Sequence, residues 1–393
     1  METACPLLWN HYCIGATSVV KPCCRAERNH LEDWINNEIK DGIYSKNHIK
    51  TRELMRNGKR PKVCSVCYEK EDNGLTSSRL NYLHTYKNIN YNKEPNKVLT
   101  ADIKFNNTCN LACRMCGPFS SSLIASLLKD VPQKDRIHNV RVRKHNYKEE
   151  EKLEYCKQLI KNGLQEFKTT GGEPFYQKHF IKLLDWCIEN NYNKGLAIKI
   201  TTNGLQVNKN VIDKLLSFKH CTINISIDGY KKVYEYIRYP GKWSDLDANL
   251  RQLIQHTSST FTVNISTLLN IYNIFDIPNI EKYLKSVGYE KELRVECYIK
   301  PYAKSELNVK NLPDEIINHA IERNTNKQII QYLTKCKQEY KDSFLLKEFA
   351  RKTKLYDKQR NQTYKVLDNY IVQIIWQHCI SNVNISHKEV LWI

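Results

Sequence analysis

The sequence predicts an α/β fold in which six strand–helix units form a parallel sheet curved into a partial (β/α)6, TIM-like barrel. A cysteine-rich N-terminal region and a C-terminal helical extension flank it. Three observations predict this. From about residue 98, β-prone apolar runs alternate with stretches of helical spacing, the pattern of a parallel α/β sheet. Short motifs of Cys, Gly, Asn and Ser fall at the carboxyl ends of those runs, where barrel sites form. That placement favours a curved sheet over a flat one, which periodicity alone does not separate. Finally, the strand pattern ends at Pro301, and before residue 98 the composition shifts to Cys, His and Asn.

The expected strands are Val98–Phe105, Leu164–Thr169, Leu196–Thr201, Thr222–Ile227, Phe261–Leu269 and Leu293–Ile299. The helical stretches between and after them are Leu123–Leu128, Tyr155–Leu159, Ile181–Ile188, Ile212–Phe218, Leu246–Ile254 and Ile280–Val287. This divides the chain into 1–97, 98–301 and 302–393. The first part has helical stretches near 29–39 and 76–87. Its small core and six cysteines call for a metal as a staple. A basic insertion at 132–149 reads as a solvated loop or as a contact for an anionic substrate. The last part reads as mostly helical and lysine-rich, without evident chemistry.

The chain has 393 residues and a formal net charge of +19. Such an excess suits nucleic acid, an acidic peptide or an anionic cofactor, but the basic residues are scattered, as drift and solubility would also leave them. No apolar stretch approaches the ~20 residues needed to span a bilayer. The N-terminus lacks the zones of a signal peptide. An intracellular, cytoplasmic protein without membrane partners is therefore expected. In such a compartment 15 cysteines point away from disulfides and towards metal or redox chemistry where they cluster. Nine precede residue 117. The isolated six, at 156, 187, 221, 297, 336 and 379, read as small buried hydrophobes.

Cys109, Cys113 and Cys116 form a C-x3-C-x2-C loop directly after the first expected strand. Three thiolates can hold three irons of a cubane and leave the fourth open. A zinc knuckle would need a fourth ligand, and no His or Cys follows Cys116 within twenty residues. At this point the sequence resembles the radical S-adenosylmethionine (SAM) superfamily. The resemblance implies a [4Fe-4S] cluster on Cys109, Cys113 and Cys116, SAM chelated to the open iron, and Met115 against the adenine. Gly171, Gly172, Glu173 and Pro174 match the segment that approaches the SAM amino group, and paired glycines let a backbone come close to a ligand. Asn203 ends the third strand, Ser226 and Asp228 end the fourth, and Asn270 ends the fifth. The resemblance implies that these residues belong to the SAM site, with Ser226 reaching the ribose and Arg238 pairing with the methionine carboxylate, a task suited to a planar charged fork.

Cys5, Cys23 and the pair Cys64/Cys67 are too far apart for one loop but could converge in the fold. With Glu71, Gly74, Ser78 and Arg79 they resemble the twitch version of the SPASM domain, here placed before the barrel. That order is found in a group of twitch radical SAM proteins, many encoded by phages, which would put this chain in a host cytoplasm. A weaker echo lies at Leu355, Tyr356, Asp357 and Arg360. The resemblance implies an auxiliary [4Fe-4S] cluster on Cys5, Cys23, Cys64 and Cys67, with Cys24, Cys13 and His11 as further candidates. Structural zinc remains an alternative for this cysteine pattern. Gly15 lies farther from Cys23 than that pattern has it.

Three functions follow. The first is radical modification of a peptide or protein, since twitch modules accompany peptide maturation, with an external electron donor such as flavodoxin or ferredoxin. The second is radical modification of a nucleotide or sugar. The third is a metal-stabilised nucleic-acid-binding protein without catalysis, for which abundant Tyr and Trp could stack bases.

Overall fold

In the computed structural model, residues 2–16, 18–26, 34, 38–72, 74, 76–129, 149–297, 305–339 and 341–380 are described. The expected insertion at 132–149 lies outside them except for Glu149, as do most of the 29–39 stretch, the last residues of the sixth expected strand, and the side chain of Cys379. Eight strands form one sheet: β1 (His11–Ile14), β2 (Val20–Lys21), β3 (Thr100–Ile103), β4 (Glu166–Thr169), β5 (Ala197–Thr202), β6 (His220–Ser226), β7 (Phe261–Leu268) and β8 (Arg294–Glu296). Their order is β2-β1-β3-β4-β5-β6-β7-β8. Only β1 and β2 pair antiparallel; the other neighbours are parallel.

That order decides between flat and curved. From β3 to β8 each strand is added on the same side of its predecessor, with no reversal of direction. Right-handed crossovers then put every intervening helix on one face, whereas a doubly wound sheet needs a switch point. The helices Glu149–Lys161, Lys178–Glu189, Lys209–Leu216, Trp243–Gln255 and Ile277–Ser286 supply this layer. Their Leu153, Phe180, Ile212, Leu250 and Ile280 share one core with Phe167, Ile198, Ile223 and Ile265 of the strands.

The opposite face is polar, because strand residues alternate faces. One rung runs Cys13, Asp102, Lys168, Lys199, Thr222, Thr262, and the next runs Thr201, Asn224, Asn264. Four cysteines read as packing residues, Cys156, Cys187, Cys221 and Cys336, are buried and unpaired, while Cys297 is half-buried.

The N-terminal segment is joined to this sheet: β1 lies parallel to β3, with His11 opposite Thr100 and Ile14 opposite Ile103. Helices Lys46–Arg56, Ser65–Asp72 and Ser78–Thr85 pack around it. Arg52 is fully buried and ties the first of these helices down, donating to the carbonyls of Leu8 and Ile43 and to Glu94. At the other end of the chain lie helices Asp314–Arg323, Lys327–Cys336, Ser343–Arg360 and Asn369–Ile380. No described helix is long and apolar enough to cross a membrane.

Candidate functional site

The cysteine loop emerges from the carboxyl end of β3 and is stitched to three neighbours. Cys109 N–H donates to Ser122 Oγ at 3.2 Å, and Ser121 Oγ donates to the Leu111 carbonyl at 2.6 Å. Both serines sit at the start of helix Ser122–Leu127, where their hydroxyls can also cap its free amides. Across the barrel mouth, Ala112 N–H reaches the Tyr239 carbonyl at 2.6 Å and Arg114 N–H reaches that of Ile237 at 2.9 Å. The third neighbour is the paired-glycine turn after β4: Glu173 N–H donates to Thr108 O at 2.8 Å and Gly172 N–H to Ser120 O at 3.1 Å. Gly171 and Gly172 have φ of +78° and +60°. A Cβ on Gly172 would sit 2.4 Å from Thr108 O, so the turn touches the loop only because this residue has no side chain.

Glu173 is fully buried. It accepts from Thr202 Oγ1 at 2.6 Å, Asn203 N–H at 2.8 Å and Phe175 N–H at 3.2 Å. Burial raises its pKa to about 7, with these donors pulling the other way. Asn203 in turn donates to Asn110 in the cysteine loop at 2.8 Å, so β5 joins the same assembly. Pro174 is buried behind it, and Met115 packs against the main core.

On the far side, Asp228 accepts from Leu268 N–H at 2.7 Å and from Arg238 Nε at 2.8 Å, with Arg238 Nη2 at 2.5 Å. The remaining Arg238 nitrogen, Nη1, lies 3.8 Å from Cys113 Sγ. Arg238 is thus a bridge between a carboxylate and the cysteine loop. Ser226 ends β6 on the polar face, opposite Ser266. Asn270 is fully buried, and its amide is engaged locally, donating to Leu268 O and accepting from Tyr272 N–H.

Cys113 and Cys116 share a hydrogen bond, which with Arg238 lowers the first thiol while the second rises well above its ordinary value. Burial pushes Cys109 up to about 12. Among the described residues no three His, Cys, Asp or Glu side chains are already arranged to hold a metal ion. The donor set nevertheless fits a cluster: three thiols on one loop, one of them beside a guanidinium, next to a glycine turn.

Two residues that sequence reasoning missed hold the loop from behind. Arg114, between two of the cysteines, is buried with its guanidinium 3.6 Å from the centre of the Tyr236 ring. It donates to Tyr236 O at 2.9 Å and to Asp357 Oδ1 at 2.5 Å, and Tyr236 Oη also donates to Asp357 at 2.8 Å. Asp357 lies on helix Ser343–Arg360, which had been read as devoid of chemistry. The only signals were a basic residue inside a cysteine motif and the sequence echo around Asp357.

The N-terminal cysteines divide. Cys5, Cys23, Cys64 and Cys67 line one small pocket with Leu7, Leu8, Val63 and Arg79. Burial raises the thiols of Cys5, to about 12, and of Cys23 and Cys64. Four thiols lining one pocket fit a bound metal group, whose positive charge would offset the thiolates. Arg79 shapes the pocket: it pairs with Glu71 and donates to the carbonyls of Glu2 and Ala4, fixing the turn that carries Cys5. The other candidates point elsewhere. Cys13 stands on β1 opposite Asp102; Cys24 is exposed, with Sγ 4.0 Å from Lys168 Nζ; and His11 Nδ1 is bonded to Thr100 Oγ1 at 2.8 Å.

An open parallel barrel carrying three cysteines on the loop after an early strand is the architecture of one class of iron–sulfur protein. Residues 103–284 match the Radical SAM superfamily, and this part of the chain is a radical SAM superfamily domain. A GTP 3',8-cyclase of Campylobacter fetus subsp. fetus (strain 82-40) is 27% identical over 217 residues, 53% of this chain and 58% of that protein. An Fe-coproporphyrin III synthase of Methanosarcina barkeri (strain Fusaro / DSM 804) is 29% identical over 134 residues, 34% of this chain and 31% of that one. The chain thus spans little more than half the length of the first relative and about a third of the second. Among solved structures, native anSMEcpe with bound AdoMet superposes with a TM-score of 0.41 at 19% identity, covering 59% of this chain and 60% of that one.

Proposed function

We propose that this protein is a radical SAM enzyme that modifies a peptide or protein. The observation that carries the catalytic part is the convergence of Cys109, Cys113 and Cys116 with Gly172, Glu173, Asn203, Asp228 and Arg238 at one end of the barrel. When bound, a reduced [4Fe-4S] cluster would supply the electron for reductive cleavage of SAM, and SAM would supply the radical chemistry directed at a substrate C–H bond. The chain's own part is to bind and orient. Cys109, Cys113 and Cys116 would ligate the cluster. Gly171 and Gly172 would admit SAM to the backbone, Met115 would lie against its adenine, and Ser226 would offer a hydroxyl to its ribose.

Support for a polar substrate comes from the barrel's inner wall. Lys168 Nζ is 3.5 Å from Asp102 Oδ2, and Lys199 pairs with Glu166 at 2.6 Å. Asp102 is 1% exposed, yet neither of its oxygens accepts a hydrogen bond among the described residues. A substrate bringing an N–H or O–H donor would satisfy it. The cysteine pocket of Cys5, Cys23, Cys64 and Cys67 supports a second cluster, in keeping with the twitch resemblance and hence with a peptide. Zinc in that pocket is the alternative outcome of a metal analysis. An external flavodoxin or ferredoxin would deliver the electron. A nucleotide substrate is the second reading, favoured by the lysines of the inner wall and by the likeness to a GTP 3',8-cyclase.

Anaerobically reconstituted protein should bind about seven or eight irons if both sites hold cubanes, and should release 5′-deoxyadenosine from SAM under dithionite. The Cys109/Cys113/Cys116 triple alanine variant should do neither fully, losing all cleavage. Absence of cleavage in wild type, together with salt-sensitive nucleic-acid binding, would replace the enzyme by a metal-stabilised binding protein.

A further inference from the structure

Helix Ser343–Arg360 faces the cysteine loop region and carries there two charged residues one turn apart, Asp357 and Arg360. The first has its partner in Arg114. Arg360 has none: it is 4% exposed, and its Nε, Nη1 and Nη2 lack any hydrogen-bond partner among the described residues. What it touches are ring faces, Tyr356 with its centre at 4.0 Å and Tyr239 at 5.5 Å. Ring faces attract a cation but satisfy none of its N–H donors. Burial accordingly pushes its pKa down to about 10, with the like charge of Arg114 adding to the effect.

A buried guanidinium without an anion is a costly arrangement unless another component completes it. The surroundings say which. Tyr239 gives its carbonyl to Ala112 of the cysteine loop, Tyr239 and Cys116 both pack against the small cluster of Ala112, Ile124 and Leu128, and Cys113 is among the groups acting on Arg360. Arg238 is already neutralised by Asp228. Arg360, by contrast, has no carboxylate partner among the described residues. A cubane on three thiolates is anionic, and more so after one-electron reduction.

We propose that Arg360 is the counter-charge of the cluster held by Cys109, Cys113 and Cys116, supplied by the C-terminal helix to stabilise the reduced state. It is a positioning residue, and the inference rests on the cluster reading above. The test is an EPR-monitored reductive titration of the SAM-responsive signal in reconstituted wild type, Arg360→Met and Arg360→Lys. At a fixed potential Arg360→Met should raise the oxidised-to-reduced ratio about tenfold, a shift of ~59 mV for a one-electron couple, as loss of one nearby charge in a protein interior supplies. Arg360→Lys should keep most of the wild-type potential. A companion measurement uses urea denaturation without iron, where Arg360→Met should be more stable than wild type because an uncompensated charge is gone; reconstitution should cancel that advantage. An unchanged potential in Arg360→Met at equal iron content overturns the proposal. So does a variant less stable than wild type by the same margin with and without iron, and that comparison still decides if Arg360→Met fails to hold iron. Wild type that binds no iron at all would instead refute the cluster reading.

Discussion

Gly172→Ala tests how tightly the glycine turn is pressed against the cysteine loop. Two effects add. At φ of +60° any residue with a Cβ is strained, by ~1–2 kcal/mol. In addition the new methyl would stand 2.4 Å from the Thr108 carbonyl, about 1 Å inside ordinary contact, and 3.0 Å from the carbonyl carbon of Asn107. Both of these are backbone, unlike the Gln177 amide nitrogen at 2.6 Å, so relief requires moving the segment that leads into Cys109, an overpacking penalty of ~1–3 kcal/mol. Gly58 isolates the first effect, since its φ is +71° but nothing lies within 4 Å of a Cβ there. Gly58→Ala should therefore lose ~1–2 kcal/mol of stability and keep its iron. Gly172→Ala should lose ~2–5 kcal/mol and hold less iron at the SAM-binding site. Urea denaturation and iron content per chain after anaerobic reconstitution measure the two. Equal losses in the two variants, with equal iron, would refute the close-approach argument.

Asp357→Asn leaves the buried Arg114 without its carboxylate and should cost ~3–5 kcal/mol of stability, read by urea denaturation. Cys23→Ser and Cys67→Ser should each lower reconstituted iron by about four per chain, while Cys13→Ser, outside the pocket, should not. His48 gives a pH dependence. Burial, with Arg52 next, lowers its pKa from 6.5 to about 3, so below pH 6.5 the unfolded chain takes up a proton that the folded chain refuses. Its contribution is thus complete above pH 6.5 and is lost as pH falls towards 3. Between pH 6.5 and 5 the loss is ~2 kcal/mol. His48→Asn should flatten the stability difference between these two pH values by that amount, as measured by urea denaturation.

Strands β5 and β7 were legible because each has enough residues to display its period. β5 alternates half-buried and buried residues over Ala197–Thr202, and β7 does so over Phe261–Leu268. β1 was not legible. Its four residues, His11 to Ile14, are all buried, so no alternation marks them, and their partner β3 comes 86 residues after β1 ends. The cysteine loop and the glycine turn could be read because their chemistry is local. The buttress of Arg114 could not, because its meaning depends on a helix near the far end of the chain. The four cysteines of the N-terminal pocket fall between these cases: their types pointed to a metal, but only folding brought Cys5 and Cys23 beside Cys64 and Cys67.

Arg114 and Asp357 are 243 positions apart. At a ribosomal pace of ~5–20 residues per second, the cysteine loop leaves the ribosome roughly 10–50 seconds before the carboxylate that anchors it. During that interval the loop's thiols are present on a nascent chain whose last helix does not yet exist. On the proposed cluster reading, delivery of iron to Cys109, Cys113 and Cys116 would be best timed to the end of synthesis, when docking of helix Ser343–Arg360 could close behind the loop and retain what has been installed.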